Sequence, residues 1–115
     1  MNTDFWSRLD ELIESSEIEI DRPKDTRHPG APDLIFPVDY GYLKDTAGAD
    51  GNEIDIWSGT AADRRLIAIA CTVDMLKKDT EFKLIFGCTE AEILQIEDFH
   101  NNLYMSDIII RRDDD

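Results

Sequence analysis

The chain has 115 residues, 42% of them hydrophobic, and its 26 acidic side chains outnumber 12 basic ones for a net charge of -14. That is enough for one domain with one modest core and too hydrophobic for a disordered chain. The charge repels nucleic acid and anionic membranes and admits anionic ligands only with metal ions, and no apolar run approaches the ~20 residues of a spanning helix, so a soluble cytoplasmic protein binding neither partner is expected.

The first element is an amphipathic helix from Asp4 to Ser15, with Phe5, Trp6, Leu9, Leu12 and Ile13 on one face and Thr3 or Asp4 as its cap. This acidic start is not a secretory signal. Residues 17–22, Glu-Ile-Glu-Ile-Asp-Arg, alternate as a strand with Ile18 and Ile20 inward. Pro23, Pro29, Gly30 and Pro32 then break regular structure as far as Asp33. Arg22, Lys24, Arg27 and His28 form the densest basic patch of an acidic chain, which suits either a phosphate ligand or a salt-bridged surface loop.

Residues 36–57 are richer in polar chemistry than a connector needs. Tyr40-Gly41-Tyr42-Leu43 reads as a strand, residues 46–52 as a Gly-broken turn, and Glu53-Ile54-Asp55-Ile56-Trp57 as the returning strand. Alternation puts Glu53 and Asp55 on one face and Ile54 and Ile56 on the other. With Asp50 these carboxylates make a hard-oxygen set suited to Mg²⁺, Mn²⁺ or Ca²⁺ rather than zinc, although an acidic surface hairpin has the same composition. The ligand spacing of an EF-hand is missing.

Leu66 to Val73 is a continuous apolar run, read as a buried strand; Asp74 ends it, Lys77-Lys78-Asp79 turns, and residues 80–86 return beside it. Thr89-Glu90-Ala91-Glu92 is a capping box opening a helix to about Asn101, and Met105 to Arg112 closes as a strand. The cysteines, Cys71 and Cys88, lack metal or redox spacing and are expected as buried free thiols. Residues 1–115 thus read as one domain: a helix in 1–16, strands in 17–88, a helix and last strand in 89–112, and an acidic tail in 113–115.

Two stretches in fixed order carry a family resemblance. Phe36-Pro37-Val38-Asp39-Tyr40-Gly41-Tyr42 followed by Asp50-Gly51-Asn52-Glu53-Ile54-Asp55 resembles the signature of the soluble inorganic pyrophosphatases, Tyr-Pro-x-Asn-Tyr-Gly-Tyr and then Asp-Gly-Asp-Pro-x-Asp. The resemblance is tight over 36–57 and loose over 17–99. It implies a mainly β fold with flanking helices, a small closed OB-like antiparallel β-barrel, and Mg²⁺-dependent hydrolysis of pyrophosphate or another small phosphorylated substrate in a homo-oligomer.

By the same resemblance Asp50, Asp55, Asp74 and Asp79 would hold metal, with Glu81 as the alternative to Asp79; Arg22, Lys24, Tyr40 and Lys83 would bind phosphate; Asp55, Tyr40 and Asn52 would occupy catalytic positions. Three departures weaken the implied activity. Asn52 stands where the family has its general-base aspartate, Phe36 replaces a tyrosine, and the Tyr-Lys pair near the end of the family's C-terminal helix is missing around Phe99-His100. An amide takes no proton at neutral pH. A non-catalytic barrel that binds metal, a phosphorylated ligand or a partner protein is the competing expectation.

Overall fold

Alternating burial, read strand by strand, divides this protein into two half-cores on opposite faces of one sheet. The computed structural model describes residues 3–49 and 51–112. Its elements are α1 (Thr3–Glu14), β1 (Ile18–Arg22), β2 (Arg27–His28), β3 (Ala31–Ile35), β4 (Asp39–Leu43), β5 (Ile54–Ser58), β6 (Leu66–Asp74), β7 (Asp79–Phe86), α2 (Glu90–His100) and β8 (Met105–Arg111). Among these, no helix is long and apolar enough to cross a membrane.

Six strands form one sheet in the order β1-β4-β5-β7-β6-β8, and β2 and β3 pair separately. The two expected hairpins are present: β4 pairs with β5 and β6 with β7, both antiparallel. The expected closed antiparallel barrel is not present among the described residues. Ile56 to Ser58 of β5 run parallel to Leu84 to Phe86 of β7, because β6 lies on the far side of β7 from β5. Closure would need the edges β1 and β8 to be bridged. The chain that could supply further strands, between β1 and β4, instead folds into the small β2–β3 ladder, within the stretch expected to be irregular. Pro32 is compatible with β3 because a two-stranded ladder leaves one edge without a partner.

On one face α1 packs Trp6, Leu9 and Ile13 against Leu43, Ile56, Leu66, Ile69 and Leu84, all buried. Phe5, expected on the same helix face, is exposed. Asp10 and Arg112 fasten this helix to the end of β8 through paired bonds of 2.9 and 2.8 Å. On the other face α2 brings Ile93 and Ile96 onto Phe36, Val38, Trp57, Ala68, Ala70 and Ile85. Fully burying each such aliphatic side chain contributes ~1.5–3 kcal/mol. The capping box forms as read: Thr89 Oγ1 accepts from Glu92 N, and Glu92 Oε1 accepts from Thr89 N. Both cysteines are free thiols; Cys88 is buried and Cys71 only partly so.

Gly41 is required where it stands. A side chain there would meet the Glu19 carbonyl oxygen at 1.8 Å, so only glycine lets β1 lie this close to β4.

Candidate functional site

The face under α2 is incompletely covered, and a cavity of about 680 Å³ opens between the ends of β1, β4 and β5, the β2–β3 ladder, the β6–β7 turn and the chain after α2. Strand parity decides what enters it. Tyr40 and Tyr42 of β4, Asp55 and Trp57 of β5, and Glu81 and Lys83 of β7 all line it, while Ile54 and Ile56 turn toward α1, as alternation requires. A bulge in β1, where Ile20 pairs with Gly41 and Arg22 with Tyr40, inserts Asp21 as an extra residue; both Asp21 and Arg22 line the mouth.

Lys83 is the centre of the polar wall. It is only 5% exposed. Its ammonium Nζ donates to Tyr40 Oη at 2.9 Å, to Asp55 Oδ2 at 2.9 Å and to Glu81 Oε1. Burial disfavours its charge, but the Tyr40 oxygen, Asp55 and Glu81 outweigh this and hold its pKa above the ordinary lysine value. Burial likewise pushes the Tyr40 phenol up, opposed by Lys83 and assisted by Asp55, so at neutral pH the phenol keeps its proton. The Tyr40 ring packs on Trp57 at 4.6 Å between centroids and on Phe36 at 5.5 Å.

The floor carries a second buried network. Trp57 Nε1 donates to His100 Nε2 at 3.3 Å, and His100 Nδ1 lies 2.8 Å from Asp107 Oδ2. Nε2 therefore accepts and Nδ1 carries the proton, which makes this imidazole neutral. Burial lowers its pKa, opposed by the hydrogen bond that Nδ1 donates to Asp107.

The residues singled out from the sequence are placed as follows. Tyr40, Asp55 and Lys83 come together in one hydrogen-bonded cluster. Arg22 and the exposed Asn52 line the cavity mouth. Lys24 is exposed and its backbone N–H donates to Asp39 Oδ1 at 2.8 Å; neither residue is among those lining the cavity. Asp50 lies outside the described residues. Asp74 lines the cavity, with Oδ1 accepting from the backbone of Leu76 at 3.0 Å and Lys77 at 3.1 Å. Asp79 pairs in register with Asp74 and forms a 3.7 Å ion pair with Lys77.

Of the two acids weighed for the second hairpin position, Glu81 is therefore the one beside Asp55, while Asp79 sits at the hairpin end. Sequence reasoning passed over Trp57, His100 and Asp107 as a connected set. Nothing local links positions 57, 100 and 107; only the sheet and α2 bring them together.

The cavity wall offers carboxylate oxygens, and Asp79 lies outside its lining. Asp55 and Glu81 converge on one cationic centre, Lys83 Nζ, and the Oδ1 atom of Asp79 is buried with no hydrogen-bond partner among the described residues. Among those residues no group of three or more His, Cys, Asp or Glu is arranged to hold a metal. Asp55 and Glu81 are the residues that would hold a cation bound mainly through waters and a ligand's phosphates, a habitual mode for Mg²⁺.

No protein-family model matches the sequence, and no curated protein matches it. Among solved structures, the chain resembles an inorganic pyrophosphatase from Neisseria gonorrhoeae, with 20% identity and a TM-score of 0.53 over 83% of this chain and 73% of that one. At that identity the likeness concerns the fold: mainly β, with two helices, and pyrophosphatase-like.

Proposed function

We propose that this protein hydrolyses inorganic pyrophosphate with Mg²⁺, at a rate lowered by Asn52. The observation that carries the reading is the convergence of Asp55 and Glu81 on Lys83 Nζ, with Tyr40, at the wall of a cavity whose fold is pyrophosphatase-like.

Charge supports the need for a cation. Five described carboxylates line the cavity, those of Asp21, Glu53, Asp55, Asp74 and Glu81, against three cations, Arg22, Lys77 and Lys83. An unassisted polyphosphate would be repelled. Asp55 and Glu81 would hold Mg²⁺, whereas Asp74 and Asp79, about 13 Å along β7 from Lys83, would be too far to share that ion; bound there, the ion would neutralise phosphate oxygens and lower the pKa of coordinated water. Lys83, released toward substrate, would donate to a phosphate oxygen, and Arg22 would hold the outer phosphate at the mouth. Tyr40, kept protonated by burial, is a hydrogen-bond donor rather than a base.

The base is the weak point. Asn52 takes no proton, and Asp39 is engaged with the backbone of Lys24, so proton removal falls to Asp55. Loss of a positioned base typically costs ~10²–10⁴ in rate. Asn52 also favours a second reading, a non-catalytic cavity that binds Mg²⁺ and a phosphorylated ligand. Release of phosphate from pyrophosphate by the purified protein, with and without Mg²⁺, decides between them: Mg²⁺-dependent release is expected, and its absence from folded protein that still binds pyrophosphate would establish the second reading.

A further inference from the structure

We infer that the cavity accepts a phosphoanhydride bearing a planar organic group, of the nucleoside diphosphate class, in preference to bare pyrophosphate. The inference rests on the proposed phosphate site around Lys83 and extends it to the other end of the same cavity.

That cavity has two chemically distinct ends. Asp74 pairs with Asp79, four residues along β7 from Lys83, a separation of about 13 Å at the rise of a strand. A small inorganic anion held at Lys83 cannot span that length. Beside Asp74, which pairs in register with Met105, the lining carries Leu76, Tyr104 and Met105 together with Lys77. At about 680 Å³ the whole space falls in the range that encloses ligands of drug size, ~300–1,000 Å³, and such sites are mostly apolar with a few placed polar groups.

Exposure makes the apolar end more than a byproduct of folding. Leu76 is 68% exposed and Tyr104 46% exposed, on two separate connections that the bond from Met75 N to Tyr104 O, 2.8 Å, ties together. Two large apolar side chains held at the rim of a polar cavity are unfavourable toward water and favourable toward a flat organic surface, on which stacking is tolerant of the ring's identity. The phosphates then lie toward Lys83 and Arg22, and the organic group lies toward Tyr104.

Calorimetric titration of the full chain with ADP, UDP and pyrophosphate, each with Mg²⁺, tests this, alongside phosphate release from all three. Either nucleotide should bind at least about tenfold more tightly than pyrophosphate. The exposed substitutions Tyr104→Ser and Leu76→Asp should each weaken nucleotide binding about tenfold more than pyrophosphate binding. Nucleotide affinity no greater than that of pyrophosphate, or equal losses for both ligands in the variants, would overturn the inference. Preferential nucleotide binding without phosphate release would uphold it while removing the hydrolase reading.

Discussion

Lys83 and Tyr40 sit on strands that do not pair with each other, yet Nζ and Oη meet at 2.9 Å by reaching over β5, and Asp55 of that intervening strand receives the same ammonium at 2.9 Å. One buried charge thus ties β4, β5 and β7 at the cavity wall. Lys83→Met should cost roughly 3–5 kcal/mol of stability, because it strands Asp55 and Glu81 without their cation. In urea denaturation the double variant Lys83→Met with Glu81→Gln should lose less than the sum of the single losses. Additive losses would mean that the three groups do not act as one cluster.

His100 gives stability a pH dependence of predictable sign. Its folded-state pKa lies below the ordinary histidine value of 6.5 because burial opposes the charge. Between the two values the unfolded chain binds more protons, so the contribution of His100 is full above about 6.5 and declines as pH falls beneath it. Thermal unfolding from pH 7.5 down to 5 should show this decline, and His100→Gln, whose amide can accept from Trp57 and donate to Asp107, should flatten it. An unchanged slope in the variant would assign the effect to other groups.

The start of α2 is fixed by reciprocal bonds between Thr89 and Glu92, and Glu92 also accepts from Thr60 N at 3.1 Å and Thr60 Oγ1 at 3.0 Å. Thr89→Ala should cost ~1 kcal/mol. Glu92→Ala should cost more, since it releases the 59–65 connection as well as the cap; chemical denaturation of both variants compares them directly.

Much of this architecture was legible because it is local. The helices of α1 and α2, the capping box and the hairpins β4–β5 and β6–β7 follow from apolar periodicity and turn residues within each segment. The parallel β5–β7 pair and the open sheet were not, because they depend on how residues 59–65 carry the chain past β7 and on the β2–β3 ladder taking up the chain before β4. Tyr40, Asp55 and Lys83, singled out from motif and spacing, meet in one hydrogen-bonded cluster. Glu81 could have been chosen over Asp79 from its position two residues before Lys83, which puts both on one strand face, but the five-residue separation of Asp74 and Asp79 competed with that signal. The Trp57–His100–Asp107 network joins three distant segments and left no sequence pattern.

Restoring the missing carboxylate tests how complete the site is. Asn52→Asp should raise Mg²⁺-dependent phosphate release by ~10² or more if Asp55, Glu81 and Lys83 already form a working site. No gain in the variant would place the deficit elsewhere in the cavity.

The most direct measurement of the central claim is the ¹H–¹⁵N spectrum of labelled protein titrated with Mg²⁺ and pyrophosphate, for the native sequence and Asp55→Asn. Shifts concentrated at Tyr40, Asp55, Glu81 and Lys83, and lost in the variant, are predicted. Shifts gathered instead around Arg64 and Arg65, which line a separate cavity of about 440 Å³ beside α1, or no shifts at all, would contradict the assignment of phosphate and cation to the Lys83 cavity.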